Sequence, residues 1–154
     1  MESEIPRKEL AGKPFYQYPG SGAAGGMGAA LLGFLDAKLI PGVTLIAETV
    51  GLQALAQGAA LLITGEGQLD HQTLFGKTPM GVLAIAKAEN IPIIAIGGAI
   101  ETPTLPLLKA GFTALFSTNF APQSLPEAMD ATAQNLEEIG LQIARTFFAH
   151  ERER

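Results

Sequence analysis

The fold is decided by residues 59–70, which read Ala-Ala-Leu-Leu-Ile-Thr-Gly-Glu-Gly-Gln-Leu-Asp. Residues 59–64 form an unbroken apolar run closed by a threonine, and a glycine-rich acidic turn follows. A short apolar run bounded by turn residues is typical of a strand that is buried on both faces. The stretch therefore predicts a strand of a covered parallel sheet, with a polar turn at its carboxyl end.

Two further apolar runs repeat this pattern along the chain. Residues 91–96 predict a second strand, closed by Gly97 and Gly98, and residues 112–116 predict a third. Helical patterns separate the strands, and strands that alternate with helices form parallel sheets. The predicted fold class is therefore α/β, with a parallel sheet flanked by helices of the Rossmann or flavodoxin-like kind.

Helix signals lie between and after these strands. Thr78 is a hydroxyl N-cap followed by Pro79, and this helix is predicted to run to about residue 90. A short helix over residues 104–110 ends at Gly111. A capping box then starts one long last helix with an apolar stripe. The box consists of Ser124 and Glu127, and the stripe of Met129, Ala133, Leu136, Ile139, Ile143 and Phe147.

The remaining sequence divides into segments by composition. Residues 1–18 predict an extended N-terminal arm, and residues 19–58 a glycine-rich loop followed by helices. Within that segment, residues 43–50 suit a helix or a strand equally well. Residues 59–150 form the βαβαβα unit, and residues 151–154 a charged tail.

Composition excludes several classes of function. The chain has 154 residues, a formal net charge of -5 and no cysteine. Without cysteine there is no disulfide, thiolate catalysis or cysteine-bound zinc. A mildly acidic chain without a basic stripe argues against nucleic-acid binding. The start of the chain lacks a signal peptide, and the apolar runs are too short to span a bilayer. We therefore expect a cytoplasmic protein without a membrane or nucleic-acid partner.

Chemistry-bearing residues follow the strands at their carboxyl ends. Ligands of parallel sheets bind at this edge, because all the strands end there. Three turns are therefore expected to meet: residues 65–70, Gly97 with Gly98, and residues 117–119. This topology gathers Glu66, Asp70 and the polar residues 117–119 on one rim.

The turn after the first strand carries the most chemical information. Glu66 and Asp70 are oxygen donors suited to Mg²⁺, or general bases for a substrate hydroxyl. Lys77 stands beside a predicted helix N-terminus, where it can hold a phosphate. The alternative interpretation is purely structural, with both carboxylates capping turns and the lysine solvated.

Two other motifs are weaker. Residues 20–25 match the dinucleotide fingerprint G-x-G-x-x-G and lead into a helix, but a tight helix start packed with small residues explains them equally well. Residues 76–78 imitate the end of a Walker A motif, in which His71 stands where the first glycine should be. His71 is interpreted as an exposed turn residue and His150 as a surface residue.

Two segments together resemble the class I glycerate kinase family. One is Pro19-Gly20-Ser21-Gly22-Ala23-Ala24-Gly25-Gly26-Met27-Gly28-Ala29-Ala30. The other is Leu62-Ile63-Thr64-Gly65-Glu66-Gly67-Gln68-Leu69-Asp70, continued by Gly76-Lys77-Thr78-Pro79-Met80-Gly81-Val82. Their spacing to the strand that ends in Gly97 and Gly98 is also similar. The double match is far more specific than either glycine cluster alone.

The resemblance implies a function and a site. Members phosphorylate D-glycerate with ATP and Mg²⁺, in a cleft between two α/β domains. Within this resemblance, residue chemistry assigns Asp70 as the base or metal carboxylate, Glu66 as its partner and metal ligand, and Lys77 as the phosphate-binding residue. The nucleotide-binding residues that it implies are Gly20, Ser21, Gly22, Gly25, Gly26, Gly65, Gly67, Gly76 and Thr78.

Family members are longer, so the resemblance makes this chain a C-terminal portion with an incomplete fold. Sheet edges left uncovered in this way are expected to favour homo-oligomers or strand exchange. Two alternatives stay open: a non-catalytic module that binds a nucleotide or an organic acid, and a dehydrogenase domain built on the glycines of residues 20–25.

Overall fold

The computed structural model describes residues 20–149. The chain divides into two compact units on either side of the Pro41–Gly42 bond. The predicted N-terminal arm over residues 1–18 and the charged tail over 151–154 lie outside the described residues. The bounds of the other two predicted segments, residues 19–58 and 59–150, stay predictions.

The described part of the first unit, residues 20–41, contains one helix with an irregular start. Helix α1 spans Ala23–Leu35, but Ala24, Gly25 and Gly26 all have positive φ, so regular helix begins only after them. The start is also tight, because a Cβ on Gly28 would lie 3.0 Å from the carbonyl oxygen of Gly20. The amide of Ala29 donates to the carbonyl oxygen of Ser21 at 2.9 Å. The glycines here shape a compact helix start.

The second unit is built on a parallel sheet of three strands in the order β1-β2-β3. They span Leu62–Leu69 (β1), Ile93–Ile100 (β2) and Ala114–Ser117 (β3). Leu62 pairs with Ile93 at the start of the β1–β2 ladder. The predicted α/β class with a parallel sheet is confirmed.

Helices surround this sheet along the chain. They span Gly42–Thr49 (α2), Leu52–Ala56 (α3), Thr78–Ala88 (α4), Leu105–Ala110 (α5), Leu125–Asp130 (α6) and Thr132–Phe147 (α7). A short 3-10 turn, His71–Phe75, joins β1 to α4. The segment that suited helix or strand equally well forms α2. No helix between residues 20 and 149 is long and apolar enough to cross a membrane.

Both faces of the sheet are buried against helices. One face packs into a core that is drawn from the strands, from α4 and α5 and from the loop before β3. Its buried members are Leu69, Leu83, Ala86, Ile93, Ala95, Leu107 and Phe112. On the other face, Ile94 packs with Ile139 and Ile143 of α7. Alternate residues of β2 thus point to opposite cores, as the apolar runs predict.

The first two strands are longer than predicted. The turns expected after residues 64 and 96 are in fact strand, since β1 and β2 continue through their glycines to Leu69 and Ile100. The glycines permit this because the two backbones approach closely. A Cβ on Gly98 would lie 2.6 Å from the carbonyl oxygen of Gly67, and one on Gly65 would lie 2.8 Å from that of Ile96.

Two helix predictions are corrected in detail. The last helix is two helices, α6 and α7, which meet at Ala131, and Met129 of the predicted stripe is 67% exposed. The predicted N-cap Thr78 is the first residue of α4, and extended Lys77 occupies the cap position without a side-chain cap bond. The capping box of Ser124 and Glu127 is confirmed.

Candidate active site

Four polar side chains meet at the carboxyl end of β1. Glu66 lies in β1, Asp70 follows the strand, Thr73 belongs to the 3-10 turn and Lys77 precedes α4. The three titratable members are the residues that the sequence singles out as catalytic. The structure brings them together in one cluster, which we call the acidic cluster.

Thr73 links the two carboxylates. Its hydroxyl donates to Oε1 of Glu66 at 2.5 Å and accepts the amide of Asp70 at 3.1 Å. The amide of Thr73 in turn donates to Oδ1 of Asp70 at 3.0 Å, which completes a capping box. Thr73 is fully buried. The structural interpretation of Asp70 is therefore correct in one respect, since this carboxylate caps a turn.

Lys77 is held by both carboxylates. Its Nζ lies 3.1 Å from Oδ1 of Asp70 and 3.9 Å from Oε2 of Glu66. The side chain of Lys77 is 35% exposed, against 16% for Glu66 and 13% for Asp70. The lysine is thus anchored rather than freely solvated, and it neutralises one of the two negative charges while its ammonium stays open to solvent.

The pKa of Asp70 is perturbed by these neighbours. Partial burial works to raise the pKa, but the hydrogen bond from Lys77, the amide of Thr73, the charge of Lys77 and the amide of Gln72 outweigh it. The pKa of Asp70 therefore lies below its ordinary value. A carboxylate of this kind stays ionised at neutral pH, which suits a cation ligand better than a proton acceptor.

A cleft of about 770 Å³ opens on the α7 side of the sheet beside this cluster. Glycines of both strands line it, and at Gly67 a Cβ would meet nothing within 4 Å. Glu66, Gly98, Thr118 and Asn119 also line it, so all three predicted rim turns meet there. The other walls are mainly apolar and include Ile63, Ile96, Leu125, Met129 and Leu136.

The third predicted rim turn is held in place by hydrogen bonds. The Ser117 hydroxyl donates to the carbonyl oxygen of Gly98 at 3.3 Å and accepts the amide of Asn119 at 3.1 Å. The side-chain amide of Asn135 in α7 donates to the carbonyl oxygen of Thr118 at 2.7 Å. Thr118 and Asn119 therefore form a fixed wall of the cleft.

Asp70 lines a separate, smaller cavity of about 250 Å³ together with His71 and Glu101. Nδ1 of His71 lies 3.3 Å from Oε2 of Glu101, and the two side chains are 69% and 50% exposed. His71 is thus an exposed turn residue, as the sequence indicates. The acidic cluster stands between two openings, with Glu66 on one and Asp70 on the other.

The remaining site residues predicted from sequence divide between the two units. Gly76 has positive φ, ends the 3-10 turn and directs the chain into Lys77 and Thr78. Gly20, Ser21, Gly22, Gly25 and Gly26 belong to the helix start of the first unit, where Ser21 is buried. Their assignment to a nucleotide site stays a prediction.

The acidic cluster fits a divalent cation bound jointly with a phosphate. Asp70 and Glu66 bring two carboxylates within 4 Å of one ammonium, that of Lys77. Mg²⁺ commonly binds one or two carboxylates and takes water and substrate phosphates for the rest. No cluster of three or more His, Cys, Asp or Glu side chains with metal-binding geometry occurs in the described part of the chain. The donor set therefore matches a cation brought by a nucleotide rather than a closed metal site.

Sequence reasoning missed Thr73. A signal was present, because an aspartate followed three residues later by a hydroxyl residue is a variant of the capping-box spacing. The contact of Thr73 with Glu66 depends on how far β1 extends, and the predicted strand was too short to show it.

Comparisons with known proteins agree on one family. Residues 3–148 match the model of the glycerate kinase family. The chain is 44% identical over 137 residues to a glycerate kinase of Halalkalibacterium halodurans, covering 89% of this chain and 36% of that protein. It is 38% identical over 128 residues to the glycerate 2-kinase of Escherichia coli, covering 83% and 34%.

A solved structure is also similar. The crystal structure of a Salmonella typhimurium LT2 protein assigned as glycerate kinase 2 superposes with a TM-score of 0.66 at 38% identity. The match covers 86% of this chain and 34% of that one. The chain thus spans about a third of the length of the relatives that it matches.

Proposed function

Because the chain belongs to the glycerate kinase family, we propose that it takes part in the ATP-dependent phosphorylation of D-glycerate to phosphoglycerate. The acidic cluster carries this proposal: two carboxylates and a lysine are held together at the carboxyl end of a parallel strand, beside an open cleft. Phosphoryl transfer depends mainly on positioning and charge neutralisation, and this arrangement supplies both.

Each charged residue has a role in the proposed reaction. Lys77 presents a solvent-accessible ammonium to the phosphates, where it offsets the negative charge that collects on the transferred group. Asp70 stays ionised and faces the lysine. Of the two roles that the family resemblance implies for Asp70, the metal carboxylate therefore fits better than the base.

Glu66 and Asp70 would hold Mg²⁺, which supplies charge neutralisation between adjacent phosphates when it is bound. The glycines at residues 65, 67 and 76 let backbone approach the ligand, because they present no side chain. Thr78 and the glycines of residues 20–26 are proposed to complete the nucleotide site. We also propose a cytoplasmic location, where MgATP is available and a chain without cysteine needs no oxidising compartment.

Release of ADP from MgATP, measured with and without D-glycerate, tests the proposal. We expect release that depends on D-glycerate and is lost in the Lys77→Met variant. Release that ignores D-glycerate, or that survives the loss of Lys77, would contradict it. The Lys109→Met variant removes an exposed lysine at the end of α5 and serves as the control.

A non-catalytic module that binds a nucleotide or an organic acid is the second candidate, and the capping role of Asp70 favours it, since that role needs no catalysis. Binding of MgADP by the chain without any turnover, measured by isothermal titration calorimetry, would support this candidate over the kinase.

A further inference from the structure

We propose that Thr73 is the positioning residue of the acidic cluster: its hydroxyl fixes the carboxylate of Glu66 relative to that of Asp70, the two groups that are proposed to hold a cation. The inference deepens the proposed function and rests on it for the identity of that cation. Thr73 is fully buried, so it acts through the two carboxylates rather than by touching a ligand.

The hydroxyl of Thr73 can serve only one acceptor at a time. A threonine hydroxyl has one proton to donate and two lone pairs to accept. Oε1 of Glu66 lies at 2.5 Å and Oδ1 of Asp70 at 3.4 Å, so the proton goes to Glu66. The amide of Asp70 donates to the same oxygen at 3.1 Å. One buried atom therefore orients a carboxylate of β1 and the backbone of the following turn.

An ordinary turn cap does not need the bond to Glu66. The capping box is already complete with the two bonds that join Asp70 and Thr73. Glu66 lies seven residues before Thr73, in strand β1. The additional bond therefore ties the strand to the 3-10 turn, and it keeps the carboxylate of Glu66 close to Lys77, whose Nζ lies 3.9 Å from Oε2.

The geometry also determines which oxygens remain for a ligand. Thr73 occupies Oε1 of Glu66 and, through its amide, Oδ1 of Asp70. Lys77 binds the same Oδ1 at 3.1 Å. Oε2 of Glu66 lies 3.9 Å from the same ammonium, so the contacts of Thr73 are with the first oxygen of each carboxylate and not with the second. Partners that orient metal-binding carboxylates in this manner typically change metal affinity about 10- to 100-fold when they are removed.

Three variants of the full chain test the role. Thr73→Val keeps the shape of the side chain and removes the hydroxyl, whereas Thr73→Ser keeps the hydroxyl. Thr113→Val is the matched control, because the Thr113 hydroxyl likewise accepts a backbone amide, that of Ile93 at 3.1 Å, at the opposite end of β2. Circular dichroism establishes that each variant is folded.

Two readouts follow, neither of which requires turnover. Crystal structures of the variants locate the carboxylate of Glu66, which we expect to leave the cluster in Thr73→Val and to stay in Thr73→Ser and Thr113→Val. Titration with Mn²⁺ alone, followed by electron paramagnetic resonance, measures the cation affinity. We expect a loss of about 10-fold or more in Thr73→Val, and less than about 3-fold in the other two variants.

The result that overturns the proposal is a folded Thr73→Val variant in which Glu66 keeps its place. If Thr73→Val does not fold, the Thr73→Ser variant decides. A Glu66 carboxylate that keeps its position in Thr73→Ser supports the role of the hydroxyl, and one that is displaced overturns it. Failure of the unsubstituted chain to bind Mn²⁺ would count against the cation in the proposed function. The position of Glu66 would still test Thr73 independently.

Discussion

At the scale of single residues, Asp70 combines a structural and a chemical role. Its Oδ1 caps the 3-10 turn and also binds Lys77. Asparagine keeps the capping oxygen but loses the charge, so Asp70→Asn separates the two roles. The comparison is informative because the substitution changes almost no volume.

Asp70 should make the stability of the chain depend on pH in the acidic range. The folded pKa is depressed, so ionised Asp70 stabilises the folded chain above its unfolded pKa, ordinarily about 3.9. That stabilisation is lost as the pH falls through the folded pKa. The midpoint of thermal unfolding should therefore be higher for the wild type than for Asp70→Asn at pH 7. This difference should shrink progressively below about pH 4. A difference that grows with acidification would contradict this sign.

The same substitution should matter less once its partner is gone. In a Lys77→Met background, Asp70→Asn is expected to lower the midpoint of thermal unfolding by less than it does alone, because contacting residues are energetically coupled.

Lys77 should govern the affinity for phosphates. Lys77→Met keeps much of the apolar length and removes the ammonium, so affinity for MgADP is expected to fall about 10-fold or more. Isothermal titration calorimetry measures this, with Lys109→Met as the control for general loss of positive charge. Equal effects of the two variants would mean that the lysine acts only through net charge.

The chemistry of the cluster could be predicted from sequence, but its connections could not. Glu66, Asp70 and Lys77 follow from a strand, a turn and a helix start in succession. The hydrogen bond from Thr73 to Glu66 could not be predicted, because the sequence predicts a turn at Glu66 whereas the structure has strand there. Glycines depress strand propensity, so residues 65–68 read as a turn although pairing with β2 makes them strand.

At the scale of elements, the β1–β2 ladder depends on its glycines. Gly98→Ala would bring a Cβ to 2.6 Å from the carbonyl oxygen of Gly67, which forces the strands apart. We expect a loss of about 1–3 kcal/mol in the free energy of unfolding, measured by urea denaturation.

Gly140→Ala is the matched control for this prediction. Gly140 lies inside α7, and a Cβ there would meet nothing within 4 Å. Alanine in a helix interior should raise stability by about 0.5–1 kcal/mol. Opposite signs for the two glycines would show that crowding, rather than the added methyl group itself, destabilises Gly98→Ala.

Some helix ends can be predicted from the sequence and others cannot. The capping box at Ser124 and the glycine end of α5 were placed correctly, because both signals are local. The break between α6 and α7 at Ala131 contains no glycine or proline, so the apolar periodicity predicts one continuous helix across it. Local chemistry marks the ends of elements better than periodicity marks their interruptions.

At the scale of the whole molecule, the outer edge of β1 is unpaired within the described sheet. Ile63 on this strand is 51% exposed. An edge strand that is left unpaired invites pairing with another chain. We expect concentration-dependent self-association in sedimentation equilibrium, and we expect Ile63→Lys to reduce it. Leu141→Lys, at a residue that is 53% exposed on α7, is the control and should leave self-association unchanged. A monomer at all concentrations would contradict the prediction that the edge of β1 pairs with another chain.

The α/β class was predictable for the molecule because three apolar runs alternate with helical patterns. The family was predictable because two motifs occur together at the right spacing. The relation between the two units has no signal in a single sequence, since it depends on contacts that no local pattern encodes.

The close approach of β1 and β2 has a consequence for how such sequences diverge. Gly65 and Gly98 are required by the backbone itself, since any larger residue would collide with a neighbouring carbonyl. A duplicated copy that had abandoned catalysis would keep both glycines for as long as it folded. Glu66 and Lys77 do not belong to the capping box and would be freer to change. If the proposed function is right, these two positions, rather than the glycines, would distinguish a working kinase from an inherited scaffold.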